Sequence, residues 1–335
     1  MPSESLRETP LGRRLITVPA ILATAVVAVF AVLPLLLVAV VFDLLRGKPR
    51  MPTPRVILFG VVYLGWEVFG VTSGAVLWVL SGFGTQLHRS LFVRIHRWLQ
   101  VSWANSLLGA LKTFMGLRLQ VEGTECIAPG PVIVFSRHAS MVDTILPAHL
   151  LTAFGHLDLR YVLKHELLWD PAIDIIANRI PNHFVDRSGR DTATELREIG
   201  DLAAGMGPDE SFTIFPEGSR FTPAKREKAI ARLEESDPET ARRAKALTHT
   251  MPPRSGGVLT VLSAAPEADV LIVAHTGLEG LAGPKDMWKA APFRKPVQVQ
   301  LWRVPRSEIP TDDAGRMDWI FGEWAKVDAW VTARA

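Results

Sequence analysis

The chain has 335 residues, room for one large domain or two smaller ones. Its net charge is +3 and its isoelectric point about 9.1, without a dense Lys/Arg stripe, helix-turn-helix or zinc-finger spacing, which argues against a nucleic-acid-binding protein. The single cysteine, Cys126, excludes an internal disulfide framework and a multi-cysteine metal site.

Residues 1–15 are polar, with Arg7, Arg13 and Arg14, and Ile16–Phe42 carries no charge. A helix of that length reaches about 40 Å, enough to cross a hydrocarbon core of about 30 Å with tilt. A secretory signal is the competing reading, but the apolar run is too long for one and lacks a clean cleavage site. A basic connector follows, with Arg46, Lys48, Arg50 and Arg55 among three prolines. Val56–Leu87 then carries one charge, Glu67, which is costly against lipid and is expected to face a partner helix, a headgroup or water. Gly70 and Gly74 form a small-xxx-small pair that would let the two apolar helices approach closely. Residues 1–90 therefore read as a membrane-embedded hairpin, with helices about 16–42 and 57–83. Basic residues lie before, between and after the segments, so charge alone does not orient it. Ten tryptophans against two tyrosines suit a chain that meets a bilayer interface, although Trp is also an ordinary core residue.

Residues 91–116 are amphipathic: Leu91, Ile95, Leu99, Leu107, Leu111 and Phe114 recur at helical spacing, with Arg94, Arg97 and Lys112 off the stripe. This is a connecting helix at the bilayer surface or a core helix packed on the sheet. From 117 to 335 strand-like runs alternate with helical ones, the strands being 117–121, 131–135, 160–163, 183–186, 211–215, 270–274 and 297–304. Helices are expected at 191–204, 225–247 and 316–333. The fold class is α/β, a mostly parallel sheet flanked by helices, with sites at the carboxyl ends of strands.

Three stretches carry chemistry. Ser136-Arg137-His138-Ala139-Ser140-Met141-Val142-Asp143 follows the apolar run Pro131–Phe135. Five residues along a helix turn about 140°, so His138 and Asp143 meet only if His138 lies in the loop and Asp143 in the first turns of the following helix. A carboxylate fixing the ring's tautomer would make His138 a general base; alone, such a histidine is more often a cap or core residue. Phe215-Pro216-Glu217-Gly218-Ser219-Arg220 ends another strand. A guanidinium held there suits a phosphate, the plainer reading being a surface Glu–Arg pair on a turn. Phe184-Val185-Asp186-Arg187 is a third strand end, by itself a common tetrapeptide. The highly charged stretch 225–245 reads as a solvated helix face, and 284–295 as either a bilayer contact or a loop. No P-loop, dinucleotide glycine pattern, GxSxG or HExxH is present.

Together these stretches resemble the glycerolipid acyltransferase superfamily, in particular the 1-acylglycerol-3-phosphate acyltransferases, over roughly residues 117–275. His138 and Asp143 match its H-x4-D motif, Phe184–Arg187 its second motif, Phe215–Arg220 its F-P-E-G-[ST]-R motif, and Met251–Gly257 its proline-containing fourth. Phe221–Lys225 and Pro253-Arg254-x-x-Gly257 look more like the lysocardiolipin acyltransferase branch. Arg137 stands where the family usually has asparagine, and Pro181-Asn182-His183 where it has an upstream glycine.

The resemblance implies transfer of an acyl chain from acyl-CoA or an acyl-acyl-carrier protein to a lysophospholipid hydroxyl, with 1-acylglycerol-3-phosphate giving phosphatidic acid as the leading case. It implies His138 as base, Asp143 as its orienter, and Arg187, Glu217, Gly218, Ser219 and Arg220 around the acceptor, with no metal or cofactor. It further implies an integral membrane protein, in the inner membrane if bacterial, with the catalytic domain facing the cytoplasm. The alternatives are another acceptor (lysocardiolipin or a lyso-amino-lipid), a thioesterase using water, or a non-catalytic lipid-binding protein.

Overall fold

The computed structural model describes residues 9–186, 192–281 and 283–334. Contacts divide the chain into two units: residues 1–117, 163–190 and 287–294 form the first, and 118–162, 191–286 and 295–335 the second.

In the first unit α1 (Pro10–Leu45) and α2 (Pro52–Leu80) are both long and apolar enough to cross a membrane. Both outrun the expected 16–42 at its two ends and 57–83 at its start, because cap chemistry rather than the loss of charge sets the ends. Thr9 Oγ1 accepts the Gly12 N–H at 3.1 Å with Pro10 at the first position, and Pro52 opens α2. The outward face of α1 is apolar; Val29, Phe30, Leu33, Leu37, Val38 and Leu45 are all exposed. The amphipathic helix α3 (Ser90–Met115) packs on α2, and Arg55 donates to the Phe114 carbonyl at 2.7 Å.

Gly70 and Gly74 serve a different contact from the one expected. They face the short helix α5 (Pro171–Ile176), where a Cβ at Gly70 would stand 2.8 Å from that of Ala172, and one at Gly74 would overlap Ile175. Glu67 is buried at the same contact and accepts the Ala172 N–H at 3.1 Å. Asp174 binds both arginines at the start of α1, Arg13 at 3.1 Å and Arg14 at 2.7 Å, and is itself inaccessible to solvent. The stretch 284–295 holds a short helix, α10 (Pro284–Ala290); Trp288 donates to Thr53 Oγ1 at 2.8 Å and lies under Arg46 and Lys48. The strand β4 (Asn182–Val185) also belongs to this unit.

The second unit is built on a sheet. Its strands are β1 (Leu119–Glu122), β2 (Val132–Ser136), β3 (Asp158–Lys164), β5 (Glu210–Ile214), β6 (Asp269–Thr276) and β7 (Val297–Val304), running across the sheet in the order β1-β7-β6-β2-β5-β3. All pairings are parallel except β6 with β7. β2 is central, with Val132 opposite both Ser211 and Asp269, and each of its residues is buried, as an unbroken Val-Ile-Val-Phe run demands.

The flanking helices are α4 (Ile145–Phe154), α6 (Thr192–Ala203), α7 (Pro223–Ser236), α8 (Pro238–Ala246), α9 (Ser255–Ala264) and α11 (Asp313–Thr332). The charged stretch expected as one helix over 225–247 is two. Pro238 cannot continue α7, and the Asp237 side chain accepts the Thr240 N–H at 3.0 Å to start α8 afresh.

Asp174→Ala removes the partner of a buried cation, Arg13. It is expected to cost about 3–5 kcal/mol, read as a large drop in the thermal midpoint of the detergent-solubilised protein. A midpoint within a degree of wild type would show that the ion pair does not hold the first unit together.

Candidate active site

The parallel sheet brings the ends of β2, β5 and β6 side by side, and the loop before α9 joins them. β2 ends at Ser136, and the chain leaves the sheet through Arg137 and His138 before a short 3-10 turn, Val142–Thr144, leads into α4. Asp143 therefore sits in that turn rather than in the α-helix, and the meeting of His138 and Asp143 occurs with His138 in the loop.

His138 Nδ1 lies 3.2 Å from Asp143 Oδ2. The same oxygen accepts the backbone N–H groups of Ala139 and of Ser140, the latter at 2.6 Å, while Oδ1 accepts the Ser140 hydroxyl. Asp143 is completely buried. Burial alone would raise its pKa, but the imidazoles of His275 and His138 and the Ser140 hydroxyl outweigh it and hold the carboxyl below its ordinary value. An anion there requires His138 to present Nδ1–H, which leaves Nε2 as the basic atom. The His138 ring packs on Phe215, centroids 4.5 Å apart, and its side chain keeps 13% exposure, enough for a substrate to reach. Among the described residues Nε2 has no hydrogen-bond partner.

Glu217 is inside the fold. One carboxylate oxygen accepts the His138 N–H at 2.9 Å and the other the Met251 N–H at 3.0 Å. It braces two loops against one another, and both of its oxygens are occupied by backbone. A side chain so placed is shielded from any ligand, so the geometry does not suit the acceptor contact expected of it. Gly218 adopts φ +64°, turning the chain so that Ser219 and Arg220 emerge part-exposed, and the Phe221 N–H returns to the His138 carbonyl at 2.7 Å. Arg187 lies outside the described residues.

The structure adds groups for which the sequence carried no signal. Arg137, completely buried, donates to the carbonyls of His275 (2.6 Å) and His249 (2.8 Å) and to Glu279 (2.5 Å), fixing the end of β6 and two loops to the residue before the histidine. His275, at the end of β6, donates from Nε2 to the Arg137 carbonyl at 2.9 Å and stands 3.6 Å from Asp143 Oδ1. Burial, with the Arg137 charge adding to it and the Asp143 charge opposing it, lowers its pKa. Asp328 of α11 accepts from the backbone of Thr248 and His249 and the hydroxyls of Thr248 and Thr250, setting the loop that presents the His249 carbonyl. Among the described residues no group of three or more His, Cys, Asp or Glu side chains is placed to hold a metal ion.

A strand-end histidine with one nitrogen tied to a buried carboxylate and the other open, beside an arginine-bearing turn, suits proton abstraction from a hydroxyl near an anionic group. The family model described as Acyltransferase matches residues 118–276, the span that holds every one of these strand ends. Residues 118–276 are an acyltransferase domain, which makes the chain an acyltransferase similar to those of the glycerolipid superfamily. It is 24% identical to mouse 1-acyl-sn-glycerol-3-phosphate acyltransferase epsilon over 81% of this chain and 74% of that enzyme. It is 29% identical to the 1-acyl-sn-glycerol-3-phosphate acyltransferase of Pseudomonas aeruginosa over 38% of this chain and 47% of that one. A solved structure similar to it is that of the 1-acyl-sn-glycerophosphate (LPA) acyltransferase PlsC from Thermotoga maritima, with TM-score 0.48 and 16% identity over 82% of this chain and 97% of the other.

Burial raises Glu217 to about 8 against the pull of the two N–H groups and Arg137. Because the folded value lies above the ordinary 4.5, the native state holds this proton more tightly than the unfolded chain. The contribution to stability is complete below about pH 4.5 and is lost as pH rises through about 8. The thermal midpoint of wild type minus that of Glu217→Gln should therefore fall across this window; a constant difference would show that Glu217 ionises normally in the fold.

Proposed function

We propose that the chain transfers a fatty acyl group from an acyl thioester to the free hydroxyl of 1-acylglycerol-3-phosphate, giving phosphatidic acid and a free thiol. The observation that carries the reading is the open Nε2 of His138, whose other nitrogen is anchored to buried Asp143. His138 Nε2 takes the hydroxyl proton as the oxygen attacks the thioester carbonyl. The carbon–sulfur bond breaks, and the departing sulfur takes the proton back from the imidazolium. No acyl-enzyme intermediate is needed. Asp143 holds the ring's tautomer and steadies the transient imidazolium; Glu217 holds the histidine's loop. Arg220 binds the acceptor phosphate, and Gly218 and Ser219 form the turn beneath it. Similarity to the mouse and Pseudomonas 1-acyl-sn-glycerol-3-phosphate acyltransferases supports the acceptor.

The apolar α1 and α2 embed the protein in the bilayer from which lipid acceptor is drawn and to which product returns. The catalytic unit faces the cytoplasm, where soluble acyl thioesters are found; in a bacterium this is the inner membrane.

The test is thiol release from a long-chain acyl-CoA, and separately from an acyl-acyl-carrier protein, by purified protein in detergent. It is run with 1-acylglycerol-3-phosphate, with other lysolipids including lysocardiolipin, and with none. Release should require acceptor and be fastest with 1-acylglycerol-3-phosphate. Acceptor-independent release would make the protein a thioesterase, and a faster rate with another lysolipid would reassign the acceptor. Arg220→Lys keeps charge but loses the planar fork, so the acceptor KM should rise several-fold; an unchanged KM would remove Arg220 from the phosphate site.

A further inference from the structure

Arg254 is the residue immediately before α9, on the loop that also carries Met251. Its backbone N–H donates to the Pro216 carbonyl at 2.9 Å, and two turns of chain are thereby locked together. Its side chain lies directly over Gly218. A Cβ at that position would stand 2.7 Å from Arg254 Cδ and 2.8 Å from Nε, so a side chain there would push the guanidinium aside, while the φ of +64° itself favours glycine. Arg254 is exposed, and among the described residues its guanidinium meets no carboxylate and no carbonyl.

The turn it covers is joined to the base at both ends. Phe215, whose carbonyl accepts the Gly218 N–H at 2.9 Å, packs on the His138 ring, and Phe221 donates to the His138 carbonyl. Glu217 in the middle of the turn holds the N–H of His138 with one oxygen and that of Met251 with the other. The cation and the base thus share one rigid frame. A phosphate monoester carries about −1.5 to −2 charges near neutral pH and offers three acceptor oxygens, more than one guanidinium satisfies. Glu217 contributes no positive charge.

We propose that Arg254, lying over the Gly218 turn, is a second guanidinium on the acceptor's phosphate monoester and completes the site that Arg220 begins. This rests on the acyltransfer reading above and adds to it a residue that determines selection of phosphate-bearing acceptors over neutral ones.

The experiment varies 1-acylglycerol-3-phosphate at saturating acyl-CoA, and then acyl-CoA at saturating acceptor, for wild type, Arg254→Ala, Arg254→Lys and Gly218→Ala. Loss of a charge-assisted contact should raise the acceptor KM of Arg254→Ala about 10- to 100-fold while the donor KM stays put. Arg254→Lys should fall between. Gly218→Ala, which displaces the guanidinium, should raise the acceptor KM too, and adding it to Arg254→Ala should cost little more. A raised donor KM with an unmoved acceptor KM would assign Arg254 to the phosphates of the thioester and overturn the proposal, as would no change in either. Should wild type prove inactive with every acceptor, the acyltransfer reading fails separately. Calorimetric titration of wild type and Arg254→Ala with 1-acylglycerol-3-phosphate and with monoacylglycerol then decides the site. Weakened binding of the phosphate lipid alone supports it; equal binding by both proteins overturns it.

Discussion

A carboxylate taken out of water must be met by hydrogen bonds or it will not stay ionised, and Asp143 draws its hydrogen bonds from its own loop, with the His275 ring close by. The N–H groups of Ala139 and Ser140, the Ser140 hydroxyl and the His138 ring all point at it. Satisfying one buried anion therefore fixes the backbone of the whole loop after β2. The orientation of His138 follows from that, and so does the identity of the nitrogen left open. The chemistry assigned to the site is a by-product of how the chain pays for a buried charge.

The remaining polar groups hold that loop against its surroundings. Glu217 ties it to the Met251 loop, Arg137 ties its first residue to the loops of His249 and Glu279, and Asp328 steadies the His249 loop from α11. The partners come from points separated by up to about two hundred residues in the chain, and a parallel sheet with β2 at its centre lets them meet. This is the usual placement of sites at the carboxyl ends of strands, here with three strand ends converging.

Much of this was legible beforehand. All seven strand-like runs are strands, because apolar residues in short runs or in alternation, rich in Val, Ile and Phe, leave few other options. The loop position of His138 followed from the helical period and the five-residue spacing. What could not be read were roles that depend on distant partners. Glu217 looked like a surface acid on a turn, yet it is buried between two backbone N–H groups, one of them 34 residues away. Arg137 looked like a departure from a family pattern, and its guanidinium proves to hold two loops and the end of β6. Gly70 and Gly74 had a spacing that suits any close helix contact, and nothing local reveals that the partner is α5, a six-residue helix too short to announce itself. His275 differed from the other histidines only by lying at the end of the strand beside β2.

The central claim is that His138 and Asp143 act as one unit. It is tested most directly by thiol release with 1-acylglycerol-3-phosphate and acyl-CoA, measured for His138→Ala, Asp143→Asn and the double substitution, with circular dichroism confirming that each is folded. General-base catalysis contributes about 10²–10⁴-fold, so His138→Ala should lose activity on that scale, and the double variant should be no slower than His138→Ala alone. Losses that multiply across the two sites, or a His138→Ala protein with wild-type turnover, would contradict the account.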